Sequence, residues 1–169
     1  MPPITTPCRR SIAGAAATEL ALMAPIFAVL LIAIVDFAFA FYSKQQLATA
    51  VSTSMQFAYN NGQNLTSSQV PTFLANVATV ARTATTLNLG APTVKFNNAT
   101  DGSNAGSCYC IDGTTGTWTA TTCGASCSSN GPTAGKFVSI KATYSYTPIV
   151  RSDFLASGTI SDSVLVRVQ

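Results

Sequence analysis

Histidine is absent from this 169-residue chain. The side chain that most often serves as a general base is therefore missing, and so is one of the usual zinc ligands. Charge is scarce as well: 9% of residues are Asp, Glu, Lys or Arg, against about 25% in an ordinary soluble domain. The formal net charge is +3, and apart from the adjacent Arg9 and Arg10 the basic residues are scattered. That is no footprint for nucleic acid. A glycine-rich phosphate loop, a Walker pattern and an HExxH motif are all lacking. Beyond residue 42 the acids are Asp101, Asp112, Asp153 and Asp162, all well separated and with no carboxylate pair among them. The composition thus predicts a protein that is not an enzyme, carries no cofactor and binds no metal.

What the chain has instead is one long apolar run. Residues 20–35 carry no charge, and after Asp36 the run continues through Phe37, Phe39, Phe41 and Tyr42. At about 1.5 Å per residue, about 20 apolar residues cross a bilayer core. The aromatic cluster suits a membrane interface, and Arg9 and Arg10 before the run place residues 1–14 on the cytoplasmic side. The remainder of the chain would then lie outside. A cleaved secretory signal has a shorter apolar core of about 7–15 residues, although Ala38-Phe39-Ala40 does imitate its cleavage site.

The residues just before the run narrow the choice. Gly14 is followed by Ala15, Ala16, Ala17, Thr18 and Glu19, and the apolar helix starts at Leu20. A carboxylate at the head of a membrane helix is costly unless it has a partner. Cleavage after Gly14 would create a free amine at Ala15, about one turn from Glu19. In an assembly, Glu19 of one subunit could then pair with the N-terminus of a neighbour and set axial register. The simpler account is that Glu19 is a helix-terminal acid favoured by the helix dipole.

The stretch GAAATELALMAPIFAVLLIAIVDFAFAFY resembles the N-terminal signature of TadE-like proteins. The matching features are Gly14, the small residues 15–17, Glu19, Ala21-Leu22, Pro25, the aliphatic run 26–35, Asp36 and the aromatics from Phe37 to Tyr42. The resemblance implies a minor pilin or pseudopilin of a Flp (tight-adherence) pilus system. It would be cut after Gly14 by a prepilin peptidase and would partner other pilins and an inner-membrane assembly platform. Leu20 stands where the major Flp pilins usually have Tyr, which favours a minor subunit. Pro25 can kink the helix, although membrane helices tolerate it. Asp36 falls near the outer interface, either solvated or in contact with another subunit.

Beyond Tyr42, Leu47, Val51, Met55 and Ala58 recur at helical spacing until Asn60-Asn61-Gly62 stops the pattern. The membrane helix is therefore expected to extend outward with an apolar stripe facing a head. A second helix is expected to start near residues 66–68 and to carry Val70, Phe73, Leu74, Val77, Val80, Ala81, Ala84 and Leu87. It should end at Gly90 and Pro92. Strands are predicted over residues 93–96, 107–111, 117–120, 136–146 and 159–168. The last two are long enough to pair antiparallel, and Ile160, Val164, Val166 and Val168 share one face of the final strand. The fold class is α+β: an N-terminal transmembrane helix extending into a pilin-like head with a second helix and a small antiparallel sheet. The corresponding division is a leader over residues 1–14, a membrane helix over 15–42 and an extracytoplasmic domain over 43–169.

Residues 97–135 are rich in Gly, Ser, Thr and Asn. They hold Cys108, Cys110, Cys123 and Cys127 in the pattern C-x-C and C-x3-C. Outside the cytoplasmic membrane, disulfides are expected rather than an all-cysteine zinc site. Cys108 and Cys110 are poorly placed to bond each other in a strand. Two pairings remain: Cys108–Cys123 with Cys110–Cys127, or Cys108–Cys127 with Cys110–Cys123. Cys8 would leave with the leader.

Overall fold

The computed structural model describes residues 13–128, 131–148 and 158–169, with side chains from Ala17 onward. Cys8, Arg9, Arg10 and Asp153 lie outside the described residues, and of Gly14 and Ala15 the backbone alone is described. The described elements are α1 (Ala13–Asn61), α2 (Val70–Thr83), β1 (Thr93–Phe96), β2 (Cys108–Ile111), β3 (Trp118–Thr121), β4 (Phe137–Tyr146) and β5 (Gly158–Arg167). The architecture is α+β.

Helix α1 has 49 residues and runs through Pro25 as one element, a length of about 74 Å at about 1.5 Å per residue. Its two parts differ in their surroundings. Leu47, Ala50, Val51, Ser54 and Ala58 are buried, a spacing that draws one stripe along the helix. The small residues Ala50, Ser54 and Ala58 let the helix approach the sheet closely. The Ser54 hydroxyl donates to the Ala50 carbonyl oxygen at 2.7 Å, so it enters the core with its polar group satisfied. Gly62 ends the helix by donating its N–H to the Ala58 carbonyl oxygen.

Helix α2 begins with Pro71 in its first turn, where the missing N–H costs nothing. It buries Val70, Phe73, Leu74, Val77 and Ala81. It stops at Thr83, well before the expected Gly90. The cause lies in Thr83, Thr85 and Thr86, whose β-branched side chains favour helix weakly. The Thr85 hydroxyl also accepts the Leu87 N–H at 3.1 Å, a local turn that competes with the helix ladder. Leu87 still packs on the core from this loop.

The five strands fall within a residue of their expected bounds. They form a three-stranded sheet in the order β1-β4-β5 and a separate β2-β3 hairpin. All pairings are antiparallel, with Tyr146 opposite Gly158 and Phe137 opposite Arg167. Alternation puts Val138, Ile140 and Ala142 of β4 into the core. There they meet α1, α2 and the inward residues Ile160, Val164 and Val166 of β5, with Val168 just beyond its end. Ser139, Lys141 and Ser145 point the other way, as period-2 alternation requires. Each fully buried aliphatic side chain contributes about 1.5–3 kcal/mol, so the upper part of α1 is as much a core element as the sheet.

Strand β5 runs in the same sense as α1. Its first residue lies opposite Tyr146, whose hydroxyl reaches Asp36. Just past its last residue, Val168 packs where a Cβ on Gly62 would fall. The head therefore has one end beside Asp36 and another beside Gly62.

Candidate functional site

The N-terminal part of α1 has no packing partner within the described chain. Leu20, Leu22, Phe27, Val29 and Leu31 are at least 60% exposed, and the large apolar residues from Leu20 to Val35 are open on every side of the helix. Within Ala17–Asn61 this is the one described helix long and apolar enough to cross a membrane, and only 6% of its most apolar window is buried. Gly14 and Ala15 lie in the first turns of α1, with exposed Glu19 about one turn further on.

The exposed and packed parts of α1 meet at Asp36, whose residual exposure is 1%. The Tyr146 hydroxyl donates to the Asp36 carbonyl oxygen at 2.8 Å and lies 3.4 Å from its Oδ1. The sequence suggested solvent or another subunit for Asp36. The fold instead covers it with its own strand β4, because the sheet extends down α1 to that level. Burial, and then the negative Asp36 carboxylate, push the Tyr146 hydroxyl above its ordinary value of 10.0. Two turns further along α1, Lys44 Nζ donates to the Ser161 carbonyl oxygen at 2.7 Å and pairs with Asp162 Oδ1 at 3.0 Å. The two contacts strap α1 to β4 and to β5. Sequence reasoning passed over Tyr146, yet a signal was present. A tyrosine on the buried face of a strand needs a partner for its hydroxyl, and an acid inside an apolar run needs one for its carboxylate.

At the opposite end of the head, the cysteines resolve the open pairing. Cys108 bonds Cys123 and Cys110 bonds Cys127, with Cα–Cα distances of 4.9 Å and 5.5 Å. With all four sulfurs bonded in pairs, none remains as a thiolate for zinc. The bridges tie the β2-β3 hairpin to the loop that follows it. The hairpin is in turn fixed to the sheet by the Tyr109–Gly135 bridge and by Trp118, whose ring meets those of Tyr109 and Phe137 edge-on at 5.9 Å.

A buried asparagine, unnoticed in the sequence, does the rest. Asn97 is fully buried with φ 48, a left-handed backbone that Asn tolerates better than most residues. Its Nδ2 donates to the carbonyl oxygens of Asn104 (3.0 Å) and Ser107 (2.8 Å), and its Oδ1 accepts the Phe137 N–H at 2.9 Å. One side chain thus holds the start of the cysteine loop and the start of β4 together. Two loop acids are set by backbone donors. The Ser103 N–H holds Asp101 below its ordinary value of 3.8, and the Thr114 N–H, helped by Thr115, does the same for Asp112.

Residues 14–55 match the TadE-like protein family. No curated protein and no solved structure matches the chain. The TadE-like segment opens at Gly14, includes Glu19 and Asp36, and ends within α1, at the half-buried Met55. It therefore covers the exposed apolar helix and most of the stripe on which the head is built. Helix α2, both sheets and the disulfide module lie beyond it.

Proposed function

We propose that this chain is a membrane-anchored minor pilin or pseudopilin that takes part in assembling an Flp-type adhesion pilus. The TadE-like match over residues 14–55 carries this reading. It coincides with a helix whose first half exposes apolar side chains on all sides and whose second half is the core of a head. Such a helix has two uses. In lipid it holds the subunit by itself, and beside other pilin helices the same surface packs against them.

In this reading the chain crosses the inner membrane once, with residues 1–14 in the cytoplasm and the head outside. A prepilin peptidase cuts between Gly14 and Ala15. Glu19 then pairs with the cationic N-terminus of a neighbouring subunit, which offsets the cost of placing its carboxylate among apolar helices. Other pilins and the inner-membrane platform are the partners. The role is structural rather than catalytic. Disulfides hold the module furthest from Asp36 in one shape, which suits a partner-facing surface.

Intact mass of protein recovered from membranes tests the reading, in a host with the matching peptidase. The expected species begins at Ala15 and carries two disulfides. Gly14→Val should retain the leader. Glu19→Ala should be cut but should no longer co-purify with other pilins. A wild-type chain that keeps residues 1–14 removes the pilin reading and leaves a permanently anchored periplasmic module or adhesin. Unchanged processing and partner recovery in both variants would make Glu19 a plain helix-terminal acid.

A further inference from the structure

Among the described side chains of α1, Asp36 is the first that is buried, and the head therefore starts seventeen positions beyond Glu19. At about 1.5 Å per residue these two acids stand about 25 Å apart along the axis, close to the about 30 Å thickness of a bilayer's hydrocarbon core. No length of helix is left over for a stalk between lipid and head. On the side of α1 away from the sheet, Phe37 is 71% and Phe41 56% exposed, with Phe39 and Tyr42 also open. Aromatic side chains at that depth favour the membrane interface. At the same level the sheet ends, where Tyr146 pairs with Gly158 and Ser145 with Thr159.

We infer that this rim of the head, Ser145, Tyr146, Gly158 and Thr159 with Phe37 and Phe41 of α1, is a lipid-binding surface seated in the headgroup layer, and that the Asp36–Tyr146 contact is the stop that sets insertion depth. The inference rests on the membrane-anchored reading above. Asp36 supplies the reason for a stop. Its carboxylate sits within an apolar sequence, and sinking it into lipid would cost several kcal/mol. With the head closed over it, α1 slides no deeper without carrying the folded rim of the sheet into hydrocarbon. The seat is apolar and aromatic rather than electrostatic. Among the described residues at this end, Asp36 is enclosed and Lys44, the nearest cation along α1, is paired with Asp162. Contact through Phe37 and Phe41 needs only neutral lipid.

Depth-dependent quenching of tryptophan by nitroxide lipids tests this on the full chain in phosphatidylcholine vesicles. Trp118 is the sole tryptophan. It packs on Phe137, nine residue steps along β4 from Tyr146 and about 30 Å away at about 3.4 Å per step. It should keep its emission with every quencher. In a Trp118→Phe background, Leu30→Trp should lose most of its emission to nitroxides deep in the acyl chain. Thr159→Trp and Ser145→Trp should lose it to shallow nitroxides and not to deep ones. Adding Tyr146→Phe to Thr159→Trp should weaken the shallow quenching while the Leu30 probe stays deep. A Leu30 probe quenched as expected, with both rim probes untouched by shallow nitroxides, overturns the seat and leaves the anchor standing. A Leu30 probe that escapes quenching overturns both. Rim quenching that appears only with anionic lipid overturns the apolar seat.

Discussion

The Tyr146 hydroxyl meets the Asp36 carbonyl oxygen at 2.8 Å across 110 residues of chain. One end of this contact lies in the TadE-like segment and the other in the final hairpin. It makes the exit of α1 from the head a fixed joint. Tyr146→Phe removes the donor and leaves the ring in place. The Asp36 carbonyl oxygen keeps its place in the helix ladder of α1, so we expect a loss of about 0.5–1.5 kcal/mol, the net worth of one hydrogen bond, read as a lower unfolding midpoint of the full chain in detergent. Tyr144→Phe removes a hydroxyl that has no hydrogen-bond partner among the described residues, and a change beyond about 0.5 kcal/mol there would mean that β4 tolerates no change at all.

The same hydroxyl gives an alkaline signature. Its pKa is raised in the fold, chiefly by burial, so the folded protein holds this proton more tightly than the unfolded chain. The contribution is complete below about the ordinary value of 10.0 and is lost as pH rises through the folded value. A midpoint that falls above pH 10 in wild type and flattens in Tyr146→Phe is the expected result. Asp101 and Asp112 have the opposite sign. Their contribution is present above 3.8 and fades as pH falls through their lowered values. Both are fully exposed, so the acid limb should be shallow.

Asn97→Ala should be among the most damaging single changes in the head. Two donated bonds and one accepted bond vanish together, and the left-handed backbone loses a residue type that tolerates it. About 3 kcal/mol or more is expected, measured by denaturant unfolding. Asn98→Gly next to it is the contrast. Asn98 is exposed, has φ 64 and makes only a 3.4 Å contact with Lys95. Glycine there should be neutral or slightly stabilising.

Glycines divide by the space around them. A Cβ on Gly62 would fall 2.5 Å from the Ala58 carbonyl oxygen and 2.8 Å from a Val168 methyl, while one on Gly113 meets nothing within 4 Å. Gly62→Ala should cost about 1–3 kcal/mol through displaced packing, and Gly113→Ala should be silent. Equal midpoints for the two variants would show that the close approach of α1 to the chain end relaxes freely.

The two disulfides should open in order. Cys123 is exposed although its partner Cys108 is 1% exposed, whereas Cys110 and Cys127 are both half-buried. Mild reductant followed by alkylation and peptide mass analysis should label Cys108 and Cys123 first, since thiolate exchange needs access to one sulfur of a bridge and Cys123 offers it. Removing either bridge by paired Ser substitution should cost about 3 kcal/mol for loops of this length in the chain-entropy model. Labelling of Cys110 and Cys127 first would contradict the exposure of Cys123.

Much of this fold was legible because its elements carry regular periods. The 3.6-residue stripe at Leu47, Val51, Met55 and Ala58, and the alternation from Val138 to Tyr146, each had one reading, and the strands appeared within a residue of their places. Illegible parts depended on single side chains acting over distance. The end of α2 turned on the Thr85 hydroxyl capturing the Leu87 N–H. The buried stripe of α1 also included Ser54 and Asp36, which no apolar period marks. Asn97 sat unremarked in an Asn-Asn pair, since its three partners lie seven to forty residues away. Cysteine spacing left two pairings open because both suit a hairpin. Only the register of β2 against β3, with Cys108 opposite Thr121 and Cys110 opposite Thr119, settles which sulfur each one faces.

Helix α1 has no break between Glu19 and the stripe under the sheet. Each residue turns the backbone by about 100°, so the azimuth of Glu19 and that of the disulfide module are geared to one shaft. Inserting a single alanine between Leu31 and Val35 would turn the module by about 100° relative to Glu19 and raise it by about 1.5 Å. Neither the exposed apolar character of the lower helix nor the core of the head would change. In the proposed pilin assembly, a neighbour that gripped the lower helix would therefore also choose the compass bearing of the module at the other end.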